Sequence, residues 1–547
     1  MTTSRSRIAL AALLLTAAIT FLTAALADAA GVVENCNDDG ALRSVLIGGG
    51  TVSFDCNGRG DFATIELREE ITIDVATSID GGGKVTLSGR DANRLFHVSQ
   101  GASLDLRSIE LERGFSKGDG GAVYNAGFLA LDGATIRDSN AAFKGGAIVT
   151  TGRIDITDGT LRGNAALNGG ALAATGAQAQ VTIANSALYE NKADATQFPD
   201  GSGGAILTSS GARLNVYSSD LVGNTANVGG AIANVDAGSS SSLVNSTVDD
   251  NQAAAGAGIF NLGGTIDLSI VTVSNNRATV TGGGIKNESG MATLVNVTIS
   301  GNSAFGGGGL YNYNATANLT NVTVANNTAR NIGGGISNSS ALDPHLNLKN
   351  VLIADSPAGG NCYLGKPPGT SQFNLSSDDT CSFGPGRDGL PLAIGPLESN
   401  GGETLTHRLL PLSRAIDAGT TVGCPSMDQR FVRRSYGHSC DVGAVEFVPC
   451  EGPPTRPLPL SPGKRDIIQD LRPVLDWAGP DCAERFSVVV REVNRKGPIV
   501  FTADDIAATE VEADLLLDRH RYAWRVTACN ELGCTAGPWR KFKIVEN

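Results

Sequence analysis

The sequence predicts an all-β chain: a right-handed parallel β-helix solenoid followed by a β-sandwich. Three observations carry that expectation. A Gly-Gly-Ala phrase closed by Val, Ile or Leu, with small variations, begins at Gly120, Gly145, Gly169, Gly203, Gly229, Gly256, Gly282, Gly307 and Gly333. Its closing apolar residue recurs at intervals of 25, 24, 34, 26, 27, 26, 25 and 26 residues, the period of a solenoid whose units are stable only when stacked. Asn-x-Ala runs in step at Asn140, Asn164, Asn191, Asn224, Asn251, Asn276, Asn302 and Asn327. Between the phrases stand alternating β-branched runs such as Leu294–Ile299 and Leu319–Val324, which indicate strands and leave no window for a helix.

The residue types follow from that geometry. Coils stack at the ordinary strand spacing of about 4.8 Å, so a bulky turn residue would meet its own copy above and below. Glycine permits positive φ and close backbone approach. Asparagine tolerates left-handed turns, and stacked amides can bond along the axis. A second, looser asparagine column is expected at Asn125, Asn234, Asn261, Asn287, Asn312 and Asn338. Parallel crossovers should wind right-handed.

The chain has 547 residues, 70 of them glycine, and a formal net charge of −13. That charge argues against nucleic acid and against an anionic membrane surface as partners. Residues 1–29 read as a signal peptide: Arg5 and Arg7, an apolar run from Ile8 to Leu22, and Ala25-Leu26-Ala27 as a cleavage site. An uncleaved anchor is the competing reading, and no later segment is apolar enough to span a bilayer. Residues 30–113 form an N-terminal cap and irregular first coils, with a short helix at Ala41–Leu46. The solenoid follows over 114–395, and 396–448 closes its C-terminal end. Residues 449–462 are a proline-rich linker, and strands near Val474–Trp477, Phe486–Arg491, Ile499–Thr502, Glu510–Ala513 and Tyr522–Ala528 make 463–547 a sandwich. One coil carries an inserted loop with Asp194, Phe198 and Asp200.

Ten cysteines avoid the regular coils: Cys36, Cys56, Cys362, Cys381, Cys424, Cys440, Cys450, Cys482, Cys529 and Cys534. An even number behind a signal peptide favours disulfides. Pairing in sequential order is the expectation adopted, although sequence alone does not fix connectivity. No Cys-x-x-Cys or histidine cluster occurs, so neither a metal nor another cofactor is expected.

Three resemblances attach to these residues. The Gly-Gly-Ala-Ile repeat is similar to that of right-handed β-helix surface proteins, including the polymorphic outer-membrane proteins. Residues 399–447, with Ala415-Ile416-Asp417-Ala418-Gly419, Asp428-Gln429-Arg430 and Cys440-Asp441-Val442-Gly443-Ala444-Val445-Glu446, closely resemble the choice-of-anchor Q domain. The last segment, with Trp477 and Tyr522-x-Trp524-x-Val526-x-Ala528-x-Asn530-x-x-Gly533, resembles a fibronectin type III domain. Together they imply an exported bacterial protein, secreted or at the cell surface. The chain departs from autotransporter-like members in ending on a sandwich strand rather than a membrane barrel, and no Leu-Pro-x-Thr-Gly signal is present.

Fold does not give function, so chemistry was sought residue by residue. The best catalytic constellation is Asp249, Asp250 and Arg277 of the next coil, with Glu190 two coils away in the slot of Asp250. It would serve a polysaccharide lyase or glycoside hydrolase, against the competing reading of a solvated charge pair. The five histidines (97, 345, 407, 438 and 520) follow no nucleophile elbow, and His438 reads as structural. Binding has the better signal. The residue after each closing apolar position should point outward, and in three successive coils it is Phe260, Lys286 and Tyr311, with Tyr313 beside them. Such a strip could stack on sugar rings or engage a protein surface. The expectation is a non-catalytic, adhesin-like protein that binds an extracellular glycan or protein, the carbohydrate-active enzyme being the alternative.

Overall fold

A computed structural model gives the arrangement of the chain. It describes residues 31–547 apart from 57–61, 195–200, 340–344 and, toward the C-terminus, 464–465, 480–481, 484, 493–494, 507–508, 515, 518–519, 531 and 546–547. The leader read at 1–29, and Phe198 and Asp200 of the inserted loop, lie outside the described residues. The body of the chain is a parallel β-solenoid.

Each coil contributes strands to three faces. In one coil Phe128–Asp132 and Thr135–Arg137 lie on a 24-stranded long sheet, Asn140–Lys144 on a short sheet and Ile148–Thr150 on a 12-stranded second sheet. The register passes from coil to coil without slippage on the second sheet, where Val123 pairs with Ile148, Ile148 with Leu172 and Leu172 with Ile206. All four, like Ile232, Ile259, Ile285, Leu310 and Ile336, are fully buried. They form the single interior file that the period requires.

The corners explain the glycines and amides. Left-handed φ recurs at Asp138, Gly163, Glu190, Gly223, Asp250, Asn275, Gly301 and Asn326, a conformation cheap for Gly and tolerable for Asn and Asp. In each Gly-Gly phrase the first glycine supplies positive φ (+66° at Gly145). The second abuts the next coil: a Cβ on Gly146 would collide with the carbonyl oxygen of Gly170.

The asparagine column bonds continuously. The backbone N–H and Nδ2 of Asn164 both donate to Oδ1 of Asn191, at 3.1 and 3.0 Å, and the same pair of bonds runs through Asn224, Asn251, Asn276, Asn302 and Asn327. Asn140 does not belong to it. It pairs with Ala165 and is exposed, because Ser139 takes the column position and donates its N–H to Asn164 Oδ1. The second column runs from Asn234 through Asn261, Asn287 and Asn312 to Asn338. Asn125 stands apart, bonding Thr150. The column ends because the residue in register after Asn338 is Leu364.

The ends and one flank are closed differently. At the N-terminus the helix Asp39–Val45, capped by Asp38, lays fully buried Leu42 over the open core. At the other end Leu364 and Phe383 pack on the core beside the Cys362–Cys381 disulfide. Residues 399–447, expected as the end cap, instead run along the outside of the long sheet as a clasp. Leu405 O accepts from Thr272, Gln429 from Thr298, Met427 O from Asn296, Asp441 O from Asn321 and Thr420 O from Asn350. With Glu403 accepting from Asn245 as well, the clasp touches five successive coils. Its apolar side adds a small core of Leu352, Leu375, Leu409, Val442 and Val445.

Beyond it the chain forms two antiparallel sheets compatible with a sandwich. The first contains Leu458–Ser461, Val474–Ala478 and Glu510–Glu512. The second is built on Arg485–Glu492, Ile499–Ile506, Arg521–Asn530 and Arg540–Ile544. Trp477, Trp524, Tyr522, Phe486 and Phe542 fill the space between. Leu458–Ser461, read from sequence as linker, is the first strand. Its proline is tolerated because the strand lies at a sheet edge. All five sequential disulfides form.

Asn276→Ala strands the buried backbone N–H of Asn251, whose amide keeps the carbonyls of Leu221 and Asp249, and should cost about 1–3 kcal/mol, the penalty of one orphaned group. Asn140→Ala, the same motif off the column, should change stability by less than about 0.5 kcal/mol. Denaturant midpoints followed by far-ultraviolet circular dichroism measure both.

Candidate functional site

The four residues of the carboxylate constellation all lie at or beside one outer corner, and three are exposed there. Asp250 and Glu190 occupy the left-handed corner column, at φ +51° and +57°, with Gly223 between them. Asp249 Oδ1 accepts from Ser274 Oγ at 2.6 Å and from Asn275 Nδ2 at 2.9 Å, so its lone pairs serve the next coil. Arg277 stands in register with Gln252 and Ser303 and forms no ion pair with Asp249 or Asp250 among the described residues. Corner geometry accounts for these carboxylates, because Asp is among the few side-chain-bearing residues that accept positive φ.

The aromatic strip is in register as expected: Phe260 pairs with Lys286 and Lys286 with Tyr311. Its members differ in exposure. Phe260 is 3% exposed, packed with Val228, Ala255 and Leu262. Strand alternation indicates which residues leave the core, but not that neighbouring faces meet at a concave corner and cover them. The same column earlier holds Val149, Ala173, Leu207 and Ala233 as a separate buried cluster outside the main core. Lys286 bridges inner and outer parts, its Nζ 5.3 Å from the Phe260 ring centroid and 2.8 Å from Glu288. Tyr311 and Tyr313 are half-buried and stack with centroids 6.3 Å apart and planes 22° apart. Ser339 Oγ donates to the Tyr311 hydroxyl at 3.2 Å. Tyr363, two coils beyond Tyr311 in the same column, is 41% exposed and extends the aromatic face.

Sequence reasoning missed a buried polar network beneath the clasp. His407 bonds Ser300 Oγ at 2.8 Å through Nε2 and the carbonyl of Gly395 at 2.7 Å through Nδ1. Nδ1 must therefore donate to the carbonyl, and in the neutral ring Nε2 accepts from the Ser300 hydroxyl. Burial lowers the His407 pKa. Asp441 accepts from the N–H groups of Asp417 and Phe447, and burial, reinforced by the Glu446 carboxylate, pushes its pKa up to about 7. Arg434 meets Glu446 at 3.1 Å, each about 1% exposed. With no path to solvent, Ser300 and His407 act as a structural pair. No single residue type flags this network in the sequence, because its members come from segments more than 100 positions apart.

No cluster of three or more His, Cys, Asp or Glu suited to a metal ion occurs among the described residues. Searches against protein-family models, curated proteins and solved structures found no match. Five disulfides belong to an oxidising compartment outside the cytosol. No described helix is long and apolar enough to cross a membrane.

Buried carboxyls and the buried histidine of the clasp oppose each other with pH: burial raises Asp441, Glu446 and Glu398 and lowers His407. Folding raises the Asp441 pKa, so its contribution falls as pH rises from about 4 to about 7. Folding lowers the His407 pKa, so its contribution falls as pH drops below its ordinary value near 6.5. Each is worth at most about 1.4 kcal/mol per pH unit. His407→Gln should leave a clasp that stabilises as pH falls from 7 to 4.5, and Asp441→Asn should shrink that gain, because only Glu446 and Glu398 then remain as carboxyls raised by burial. Thermal midpoints against pH should rise more steeply on acidification for His407→Gln than for Asp441→Asn.

Proposed function

We propose that the chain is an exported, non-catalytic β-helix protein that binds glycans through the second sheet around Tyr311, in the manner of an adhesin. The observation that carries this reading is the partly exposed Tyr311–Tyr313 stack beside the Lys286–Glu288 pair. A flat aromatic face offers area for a sugar ring at low entropic cost, and a fixed ion pair offers donors and acceptors for hydroxyls. Coil spacing of about 4.8 Å is close to the length of one pyranose ring, so an extended glycan along the axis would meet Tyr311 and then Tyr363 two coils on. Protein partners fit the same surface less specifically.

The accessory regions are read with the families they resemble. The 399–447 clasp is a choice-of-anchor Q-like domain, and its role here is to brace the coils. The C-terminal sandwich is fibronectin type III-like, which its division into three and four main strands supports. So does Tyr522, whose hydroxyl accepts from Leu517 N–H at 2.8 Å and bonds the same residue's carbonyl, the corner such sandwiches use. Its role is a spacer or second binding module.

The test is a glycan array with the full chain. Tyr311→Ala should weaken binding three- to tenfold, the effect of about 0.7–1.4 kcal/mol for a lost aromatic contact, and Asp250→Ala should leave it unchanged. Release of sugar products that Asp250→Ala abolishes would reject the non-catalytic reading.

A further inference from the structure

The four-stranded short sheet made of Gln252–Ala255, Arg277–Thr281, Ser303–Gly306 and Thr328–Ile332 has an unusual charge pattern. Its charged residues are Arg277 and Arg330, with no acidic residue, on a chain of net charge −13. Ala253, Ala278 and Ala304 form an inward cluster, so the positions before them face outward. Arg277, Ser303 and Thr328 are in register there. Farther along the strands Phe305 is 50% and Val280 52% exposed, and the pairing of Gly306 with Ile332 sets Phe305 beside the Arg330 stretch. Among the described residues neither guanidinium has an ion-pair or hydrogen-bond partner.

Two coils separate the arginines, about 10 Å along the axis. A guanidinium fork matches a carboxylate or sulfate with two parallel hydrogen bonds. Phe305 gives an apolar plane between the two forks. The sheet also adjoins the aromatic strip, since a Cβ on Gly306 would lie 3.9 Å from Tyr311 Cε2.

We infer that this face binds an acidic polysaccharide, a carboxylated or sulfated glycan lying along the solenoid axis with anionic groups on Arg277 and Arg330 and a ring against Phe305. The inference rests on the glycan-binding reading and deepens it by naming the class of glycan. A repeating polymer suits a surface that repeats at each coil, whereas a folded acidic protein has no matching period.

Titration calorimetry on the full chain with polygalacturonate, heparin, neutral cello-oligosaccharide and polyglutamate tests it, using Arg277→Gln, Arg330→Gln, the double variant and Tyr311→Ala. The expected result is tighter binding of polygalacturonate or heparin than of the neutral sugar, the two arms separating carboxylate from sulfate. The double variant should lose at least tenfold for the acidic glycan and flatten its salt dependence, with an unchanged thermal midpoint. Equal binding of acidic and neutral glycans, an unaffected double variant, or polyglutamate binding as tightly as the glycans would overturn the inference. If neutral sugar still binds and Tyr311→Ala weakens it, the glycan reading survives that failure. If no glycan binds at all, both fall.

Discussion

Every coil of the solenoid depends on one constraint: the chain must turn at the same place each time, in a left-handed conformation, without leaving a buried amide unpaired. The residue before each column position takes the left-handed turn, and the asparagine column keeps the corner's amides paired. Each side-chain oxygen accepts the backbone N–H and the amide of the coil before it, so the corner is bonded along the axis as well as across the turn. Strand ladders alone would tolerate a slip of two residues with little loss of alternation. A column of single-residue amides does not, because a slip leaves each of them buried and unsatisfied.

With register secured by the corners, the faces are free to diverge. The interior stays apolar throughout. Outside, the long sheet exchanges exposed positions such as Asp220 for buried Thr272, Thr298 and Thr323 and there accepts the clasp. The clasp works as a brace because its hydrogen bonds reach five coils and cannot be kept if those coils separate. The short and second sheets, uncovered over the same coils, carry the aromatic and cationic side chains. The scaffold thus holds a rigid surface with the spacing of a polymer, which suits recognition more than chemistry.

Much of this was legible because solenoid physics repeats. The Gly-Gly corner, the Asn-x-Ala column and the buried file from Val123 to Ile336 each recur often enough to be read from one chain, and sequential disulfides join segments that are neighbours in the coil path. What escaped was decided by single residues or by distant contacts. Asn140 has the motif but not the place, because Ser139 can take the column. Phe260 leaves the core by alternation yet is covered again at a concave corner. The clasp rests on Gln429, His407 and Asp441, whose partners lie far away in sequence and share no pattern. The carboxylates Glu190 and Asp250 suggested catalysis, but they mark a corner. Arg277 was read as part of that same set, and only the register showed that it shares a sheet free of acids with Arg330.

The most direct measurement of the central claim is native-state hydrogen exchange across the asparagine column. Backbone amides of Asn191, Asn224, Asn251, Asn276 and Asn302 should exchange together and as slowly as the interior strands, since each is held by the next coil's side chain. Exchange as fast as that of unprotected amides would contradict the account, because the column would then not be holding the coils in register.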